Sequence, residues 1–532
     1  MATRKAAKPA INDIWLVTRE YDTLAGAGGV KDVSRQLAEA LARSGRQVSV
    51  VMPRYGFMAT TQAGFAPLDF SFDVSMPYVG VERREVVRIS ARQGLVTVYL
   101  VDALRFAEKR DIYTYTAEDE AADPLHRQGT GHGDYFAMNV LLQKAAIELM
   151  LALGRRPDVI HCQDGHTALL PAMVREKEGY RTFFGQTGLV VTIHNAGLGY
   201  HQEVGDLPFA EAITGLPSRV IRAHLLDGKF DPLLAAAPYA MLNTVSENYA
   251  RELRETDDDA LTGMLGHRLL ARGVRLAGVT NGINPADFDP SHPKGLGLAA
   301  GFSPATGELA GKKICRQRLL AAVAGRKLTA VNQEGTLDPK RPGPLFTFVS
   351  RFTPQKGVDI LISALQGLLP LEPNFQILLL GTGPKEIEVA LIQLTRAPVG
   401  TGRVCVLRGY HPRLANQLYA AGNFFLIPSR YEPCGLTDFI AQLFGAVPIV
   451  HHVGGLVKVI HGETGLAYQE HSAPALMAAM RQAIKLFTGQ PEKIAAMQKK
   501  SVERIEQTYT WDRVKEQYLN LYTEARAHRS PA

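Results

Sequence analysis

Two stretches of this chain open in the same way, and that shared opening leaves few folds available. In the first, the apolar run Ile14-Trp15-Leu16-Val17 reads as a strand and Gly26-Ala27-Gly28-Gly29 as a glycine-rich loop. A helical pattern follows from about Lys31 to Arg43, stops near Gly45, and gives way to a strand from Gln47 to Met52. This is a βαβ unit with its glycines at the strand-to-helix turn. In the second, Leu345 to Val349 leads through the loop Ser350 to Gly357 into a helix from Val358 to about Leu369. A strand from Phe375 to Leu380 and the turn Gly381-Thr382-Gly383 come next. Further short apolar runs stand at Val159 to His161, Leu189 to Ile193, Val404 to Leu407, Phe424 to Ile427 and Val447 to Val450. Such runs suit strands buried on both faces of a parallel sheet, so the expected class is α/β. The first glycine cluster does not follow G-x-G-x-x-G, and a dinucleotide site is not indicated.

A chain of 532 residues has room for two or more domains. The stretch from about Asn281 to Arg341, rich in Pro and Gly, reads as irregular and is the expected boundary region. The expected division is a loose basic tail over 1–13, a first Rossmann-like domain over 14–290, a second over 291–510, and a terminal amphipathic helix over 511–532. With 46% hydrophobic and 21% charged residues, and no apolar run near the length of a membrane span, the composition is that of a soluble globular protein. Cys162, Cys315, Cys405 and Cys434 lie far apart without C-x-x-C spacing, which argues against a zinc site or a disulfide framework and for a reducing cytoplasm. The net charge of +7 is spread along the chain. A basic surface for an anionic substrate accounts for it without nucleic acid, and neither nucleic acid nor a membrane is an expected partner. The acidic run Thr256 to Asp259 reads as a solvated cap ahead of a helix rather than a metal site.

The chemistry gathers at turns. Phe424 to Ile427 runs into Pro428-Ser429-Arg430-Tyr431-Glu432-Pro433-Cys434-Gly435-Leu436, and a short helix from Leu436 to Phe444 leads out. Strand, turn and helix place one carboxylate among backbone N–H groups at a sheet's carboxyl edge, where open α/β sheets bind ligands. By itself this is either a site for a ligand bearing hydroxyls and phosphates or a surface turn with a solvated Glu432. Arg351 and Lys356 bracket the second strand-to-helix loop, a fork and a compact charge suited to a diphosphate. His194-Asn195 ends one apolar run and Asp164 to His166 another, each open to a ligand or a structural role. Gly454-Gly455 follows Val447 to Val450, where backbone could approach a phosphate.

Taken together, SRFTPQKG with Arg351 and Lys356, PSRYEPCGLT with Glu432, VGGL with Gly454-Gly455, TIHN with His194, DGH at Asp164 to His166, TVS at Thr244 to Ser246 and NGI at Asn281 to Ile283 resemble the bacterial and plant glycogen/starch synthases. These are retaining glycosyltransferases that use a nucleoside diphosphate glucose, and the resemblance runs from about Ile14 to Tyr522. It implies two Rossmann-like domains facing each other across a cleft (GT-B architecture), with the terminal helix crossing back to the first. It implies Glu432, Arg351, Lys356 and His194 as catalytic residues. Gly28, Gly29, Asn195, Tyr410, Cys434, Gly435, Leu436, Thr437, Gly454 and Gly455 would bind the donor. Asp164, His166 and Asn281 would serve the acceptor or the structure. The implied substrates are ADP-glucose, or a related sugar nucleotide such as UDP-glucose, and an α-1,4-glucan, with no metal or other cofactor.

The chain departs from that pattern where the family loop reads Lys-x-Gly-Gly-Leu. Here Gly26 stands in place of the lysine, with Lys31 five positions on at the expected helix start. Gly165 replaces the usual Trp, Asn284 the usual Asp after NGI, and Lys458 an Asp after GGL. These changes leave open a glycan- or sugar-nucleotide-binding relative with weak or no transferase activity.

Overall fold

The computed structural model describes residues 10–60 and 63–527; residues 1–9 of the expected basic tail lie outside them. The chain divides into two α/β units, one running to Gly282 and resuming at Trp511, the other spanning Ile283–Thr510.

The first unit is built on a nine-stranded sheet. Its strands are β1 (Asp13–Val17), β2 (Gln47–Pro53), β3 (Ala66–Ser75), β4 (Arg84–Arg92), β5 (Thr97–Asp102), β6 (Val159–Gln163) and β7 (Gly188–Ile193), then β10 (Met241–Thr244) and β11 (Leu276–Gly278); β8 (Leu225–Leu226) and β9 (Lys229–Phe230) form a separate small hairpin. The order is β11-β10-β7-β6-β1-β2-β5-β4-β3, parallel from β11 to β5, with β4 and β3 added antiparallel at one edge. Strands β1, β6 and β7 are buried along almost their whole length, as their unbroken apolar runs require. Edge strand β3 instead alternates exposed and half-buried residues, and its polar pattern hid it from a search for apolar runs.

The second unit carries seven strands, β12 (Asn332–Gly335), β13 (Leu345–Val349), β14 (Gln376–Gly381), β15 (Val404–Arg408), β16 (Phe424–Ile427), β17 (Val447–His451) and β18 (Leu466–Tyr468). Their order is β12-β15-β14-β13-β16-β17-β18, parallel except for β12. In the second sheet the parallel strands run outward in both directions from the central pair β13 and β16; in the first, β1 leads to β2 on one side and β6 to β7, β10 and β11 on the other, with β3 and β4 returning from the edge to β5. The pairs β1–β6 and β13–β16 are the topological switch points at whose carboxyl ends open α/β sheets leave a crevice.

Three expectations change. The stretch 281–341 is not irregular throughout, since it contains the fifteen-residue helix Ala310–Ala324 and β12. The buried Lys312 of that helix donates to the carbonyls of Tyr419, Ala420 and Phe444, so the segment is part of the second unit's core. The helix Tyr135–Ala152 is long and apolar enough to cross a membrane, contrary to the expectation that no such run exists, and 78% of it is buried inside the first unit as a core helix. The run Thr256 to Asp259 does cap a helix, but Asp259 is buried rather than solvated. Its carboxylate accepts from the N–H groups of Gly266 and His267 and from the His267 ring.

The C-terminal helix Trp511–Ala527 belongs to the first unit. Trp511, Val514, Tyr518, Leu521, Tyr522 and Ala525 form its buried stripe, at the three-and-four spacing of one helix face. Two polar contacts fix its register: the Trp511 indole N–H donates to Gln36 Oε1 at 2.7 Å, and the Tyr522 hydroxyl lies 2.9 Å from His161 Nδ1. Replacing Trp511 by Ala is expected to lower the stability of the first unit by about 4 kcal/mol. Denaturant unfolding of the full chain would register this as an earlier midpoint, and an unmoved midpoint would mean that the helix end adds nothing.

Candidate functional site

In the second unit the switch point joins the two turns singled out in the sequence. Because β13 and β16 pair directly, the loop after β13 lies against the turn after β16, and the Arg430 N–H donates to the Gln355 carbonyl at 2.8 Å. Across this junction Lys356 Nζ donates to Glu432 Oε2 at 2.6 Å, although the residues are 76 apart in sequence. The Ser429 hydroxyl donates to the same oxygen at 2.9 Å. The two charged side chains are only 18% and 12% exposed, so Glu432 is not a solvated surface residue. Burial pushes the Glu432 carboxyl up, but the Lys356 ammonium, the Ser429 hydroxyl and the charge of Lys458 outweigh it and hold the pKa below its ordinary value.

Arg351 is exposed at the start of its loop, with Nη2 3.4 Å from Gln355 Oε1. Tyr410 is also exposed, two residues beyond strand β15, which β14 separates from β13. Cys434 and Gly435 are buried and Leu436 and Thr437 half-buried, where the turn enters the helix Thr437–Leu443. Gly454 and Gly455 have a packing reason to be glycine in addition to the one expected. A Cβ on Gly454 would lie 2.0 Å from the Glu432 carbonyl oxygen, and one on Gly455 2.2 Å from that of Cys434. The face a side chain would take is filled by the Glu432 turn, and the Gly455 N–H donates to the Glu432 carbonyl at 2.9 Å.

In the first unit, β1 and β6 bring the Gly26 loop and the Asp164 to His166 segment to the other switch point. His194 lies one strand over, at the end of β7. It is buried, with Nε2 2.7 Å from Gln163 Oε1, and burial lowers its pKa to about 3, so the ring is neutral. The Asp164 carboxylate accepts the His194 N–H at 3.0 Å. Its backbone sits at φ 65°, a left-handed conformation costly for a non-glycine residue and common at functional sites. Burial raises the Asp164 pKa to about 7, against the N–H groups of His194 and Asn195. Asn195 is half-buried and its Oδ1 accepts the Gly197 N–H, while His166 is buried with its ring 5.0 Å from that of Tyr113. Asn281 is buried with Oδ1 lacking a hydrogen-bond partner. A Cβ on Gly165 would lie 2.5 Å from the His201 carbonyl oxygen, so the tryptophan usual in the family has no room there.

Glu20 was missed in the sequence. It is buried just beyond β1, and its Oε2 accepts the N–H groups of Ala27 and Gly28 at 2.7 and 3.0 Å. Its Oε1 accepts the Tyr113 hydroxyl at 2.6 Å. Glu20 therefore shapes the loop that carries Gly28 and Gly29, which are both exposed. The rule that drew attention to His194, polar groups at a strand's carboxyl end, applied equally to Glu20. The same loop alters the meaning of Gly26. A Cβ on Gly26 would fall 2.1 Å from Cδ of Lys31, so the Lys31 stem lies where a side chain at 26 would begin. The Lys31 ammonium is held at 2.7 Å by Asp32 and 3.3 Å by Asp22, and the side chain is 30% exposed.

Residues 13–267 match the starch synthase catalytic domain, and residues 343–485 match the glycosyl transferases group 1. A glycogen synthase of Geotalea daltonii is 31% identical, over 96% of this chain and 98% of its own. The chain belongs to the glycogen/starch synthase family of glycosyltransferases. Another glycogen synthase, from Anaeromyxobacter dehalogenans, is also 31% identical, over 96% of this chain and 98% of its own. Among solved structures, the catalytic domain of starch synthase IV from Arabidopsis thaliana, bound to ADP and acarbose, covers 98% of this chain and all of its own at a TM-score of 0.80 and 24% identity. That likeness supports the GT-B fold for this family member.

The Lys356–Glu432 pair makes a stability prediction with a definite sign. A carboxyl held below its ordinary value of 4.5 adds stability above that pH and loses it as the pH falls through the lower folded value. Lys356→Met is expected to cost about 3 kcal/mol at pH 7, because the buried carboxylate loses its partner. The cost should shrink toward pH 3 in pH-resolved unfolding. An equal cost at both pH values would mean that the pair's charges do not matter.

Proposed function

We propose that the chain transfers glucose, with retention, from ADP-glucose to the non-reducing end of an α-1,4-glucan. The single observation that carries the assignment of roles is the buried Lys356–Glu432 pair at the second unit's switch point. Arg351 and Lys356 hold the diphosphate and stabilise it as it leaves. Breaking the bond to the sugar develops positive charge on the ring and negative charge on the diphosphate. Preorganised cations meet the latter without a metal, and one donor of this kind is typically worth about 3 kcal/mol of barrier. Glu432 holds glucose hydroxyls near the reacting carbon, and the Lys356 pair keeps it ionised for that task. Gly435, Leu436 and Thr437 offer backbone N–H groups, and Tyr410 lies against the base. In the first unit the neutral His194 contacts the donor glucose, Asn195 and the Gly28-Gly29 loop complete the donor contacts, and Asp164, His166 and Asn281 serve the acceptor side. The setting is a reducing cytoplasm, in keeping with four buried thiols.

Lys31 bears on the reading of a weakened, binding-only relative. With its stem laid over Gly26, Lys31 is placed to supply the phosphate-directed charge that the loop lysine gives elsewhere in the family, leaving Asp22 and Asp32 as it does so. A lysine restored at 26 would collide with it.

The deciding assay is glucose incorporation into a glycogen primer from ADP-glucose and, separately, UDP-glucose. Transfer with the first at the higher rate is expected; no transfer with either from folded protein would favour the binding-only relative. Lys356→Ala is expected to lower turnover by about a hundredfold or more, and near-normal turnover would remove Lys356 from its role. Gly26→Lys should lower activity rather than raise it, and Gly26→Lys with Lys31→Ala should recover part of the loss. A gain from Gly26→Lys alone would show that Lys31 is not the substitute.

A further inference from the structure

Lys458, on the one-turn segment Gly454–Lys458 after β17, is given no contact by the proposed reaction beyond the effect of its charge on Glu432, and it is nearly buried. Its ammonium donates to the carbonyls of Cys434, of Gly435 at 2.8 Å and of Gly455 at 3.1 Å. It also stands 3.2 Å from Oδ1 of the fully buried Asp438 and 4.5 Å from the centre of the Phe439 ring. An ammonium has three protons to give, and three carbonyls take them. Neither oxygen of Asp438 completes a hydrogen bond, so the carboxylate neutralises the charge without directing it.

The three carbonyls belong to both turns at the edge of the second sheet, the one after β16 and the one after β17. A trans peptide sends its C=O and its N–H in opposite directions, and no peptide among the described residues is cis. With the carbonyls of Cys434 and Gly435 drawn toward Lys458, the N–H groups of Gly435 and Leu436 face the other way. Gly435 has φ 74°, and Leu436 follows at φ −107° and ψ −26°. A left-handed residue followed by a right-handed one points successive N–H groups into one concavity, the arrangement of a backbone anion nest. Space for a variant of this arrangement is small, since a Cβ on Gly435 would lie 2.8 Å from Leu456, 3.0 Å from Asp438 and 3.3 Å from the Lys458 ammonium.

We propose that Lys458 is the positioning residue of the donor turn: by gathering the carbonyls of Cys434, Gly435 and Gly455 it orients the N–H groups of Gly435 and Leu436 toward the diphosphate of the sugar nucleotide. Lys458 touches no substrate itself. Asp438 is its counter-charge, and burial, opposed by Lys458, raises the Asp438 pKa to about 6. The assignment rests on the proposed function, because it takes the Glu432 turn to be a diphosphate site. It also explains how this chain carries a lysine where the family has an acidic residue.

The test uses the full chain, with ADP as the calorimetric probe at pH 8 and ADP-glucose with glycogen for kinetics. Lys458→Met is expected to weaken ADP binding and raise the KM for ADP-glucose by about tenfold, with the KM for glycogen unchanged. Asp438→Asn leaves the carbonyl contacts in place and removes a negative charge behind the site, so it should tighten ADP binding about threefold. A merely structural pair predicts losses in both variants, without selectivity for the donor. Unchanged ADP binding in folded Lys458→Met would overturn the assignment, and so would weaker binding in Asp438→Asn, which decides the matter if Lys458→Met does not fold. Wild-type protein that neither binds ADP nor transfers glucose would instead overturn the proposed function on which the assignment stands.

Discussion

The second unit's site depends on one pairing, that of β13 with β16. Two strands far apart in sequence lie side by side, and because the sheet is parallel their following loops emerge at the same edge. The contact between Lys356 and Glu432 is a consequence of that register. So is the hydrogen bond from Arg430 to Gln355, which ties the backbones of the two loops together. A buried ion pair is a poor source of net stability, since each charge must first leave water. What it does here is fix a carboxylate in one protonation state and one position at the mouth of the sheet.

The first unit repeats the plan with different chemistry. At its switch point, β1 and β6, the acidic group is turned inward. Glu20 is spent on two loop N–H groups and a tyrosine hydroxyl, and so shapes the loop without facing solvent. Beside it, burial keeps His194 neutral and pushes the Asp164 carboxyl up. The two edges thus differ: the second unit's presents the exposed Arg351 beside the Lys356–Glu432 pair, whereas the first unit's sets a neutral His194 among charges already engaged, Glu20 on the loop N–H groups and Lys31 on Asp22 and Asp32.

The central strands were legible in the sequence because strands covered on both faces must be apolar throughout. Phe424 to Ile427 and Leu345 to Val349 were placed to the residue. Elements that face solvent or end in polar residues were not: β3 alternates like an exposed edge, β10 is four residues ending in Asn and Thr, and the helix Ala310–Ala324 is hidden between Pro- and Gly-rich flanks. The site was legible where motif and strand end coincide, as at Lys356 and Glu432. It was read incompletely where a further reason for a residue is another residue distant in the chain. Gly454 and Gly455 are small because the Glu432 turn sits against them, and no local pattern records that. Lys458 drew no role for the same reason, since it acts on a turn more than twenty residues away that only the fold brings near, whereas Glu20 stood within reach of the strand-end rule.

The overlap of Gly26 and Lys31 has a historical consequence. The stem of Lys31 and a side chain at 26 claim the same volume, so the two lysine arrangements exclude each other. A lineage could pass between them only through a loop that carried neither lysine or that carried both in conflict. Substitutions at 26 and 31 should therefore travel as a pair. A comparison made one alignment column at a time would count a lost charge at 26 and overlook the lysine whose stem fills that space from five positions on.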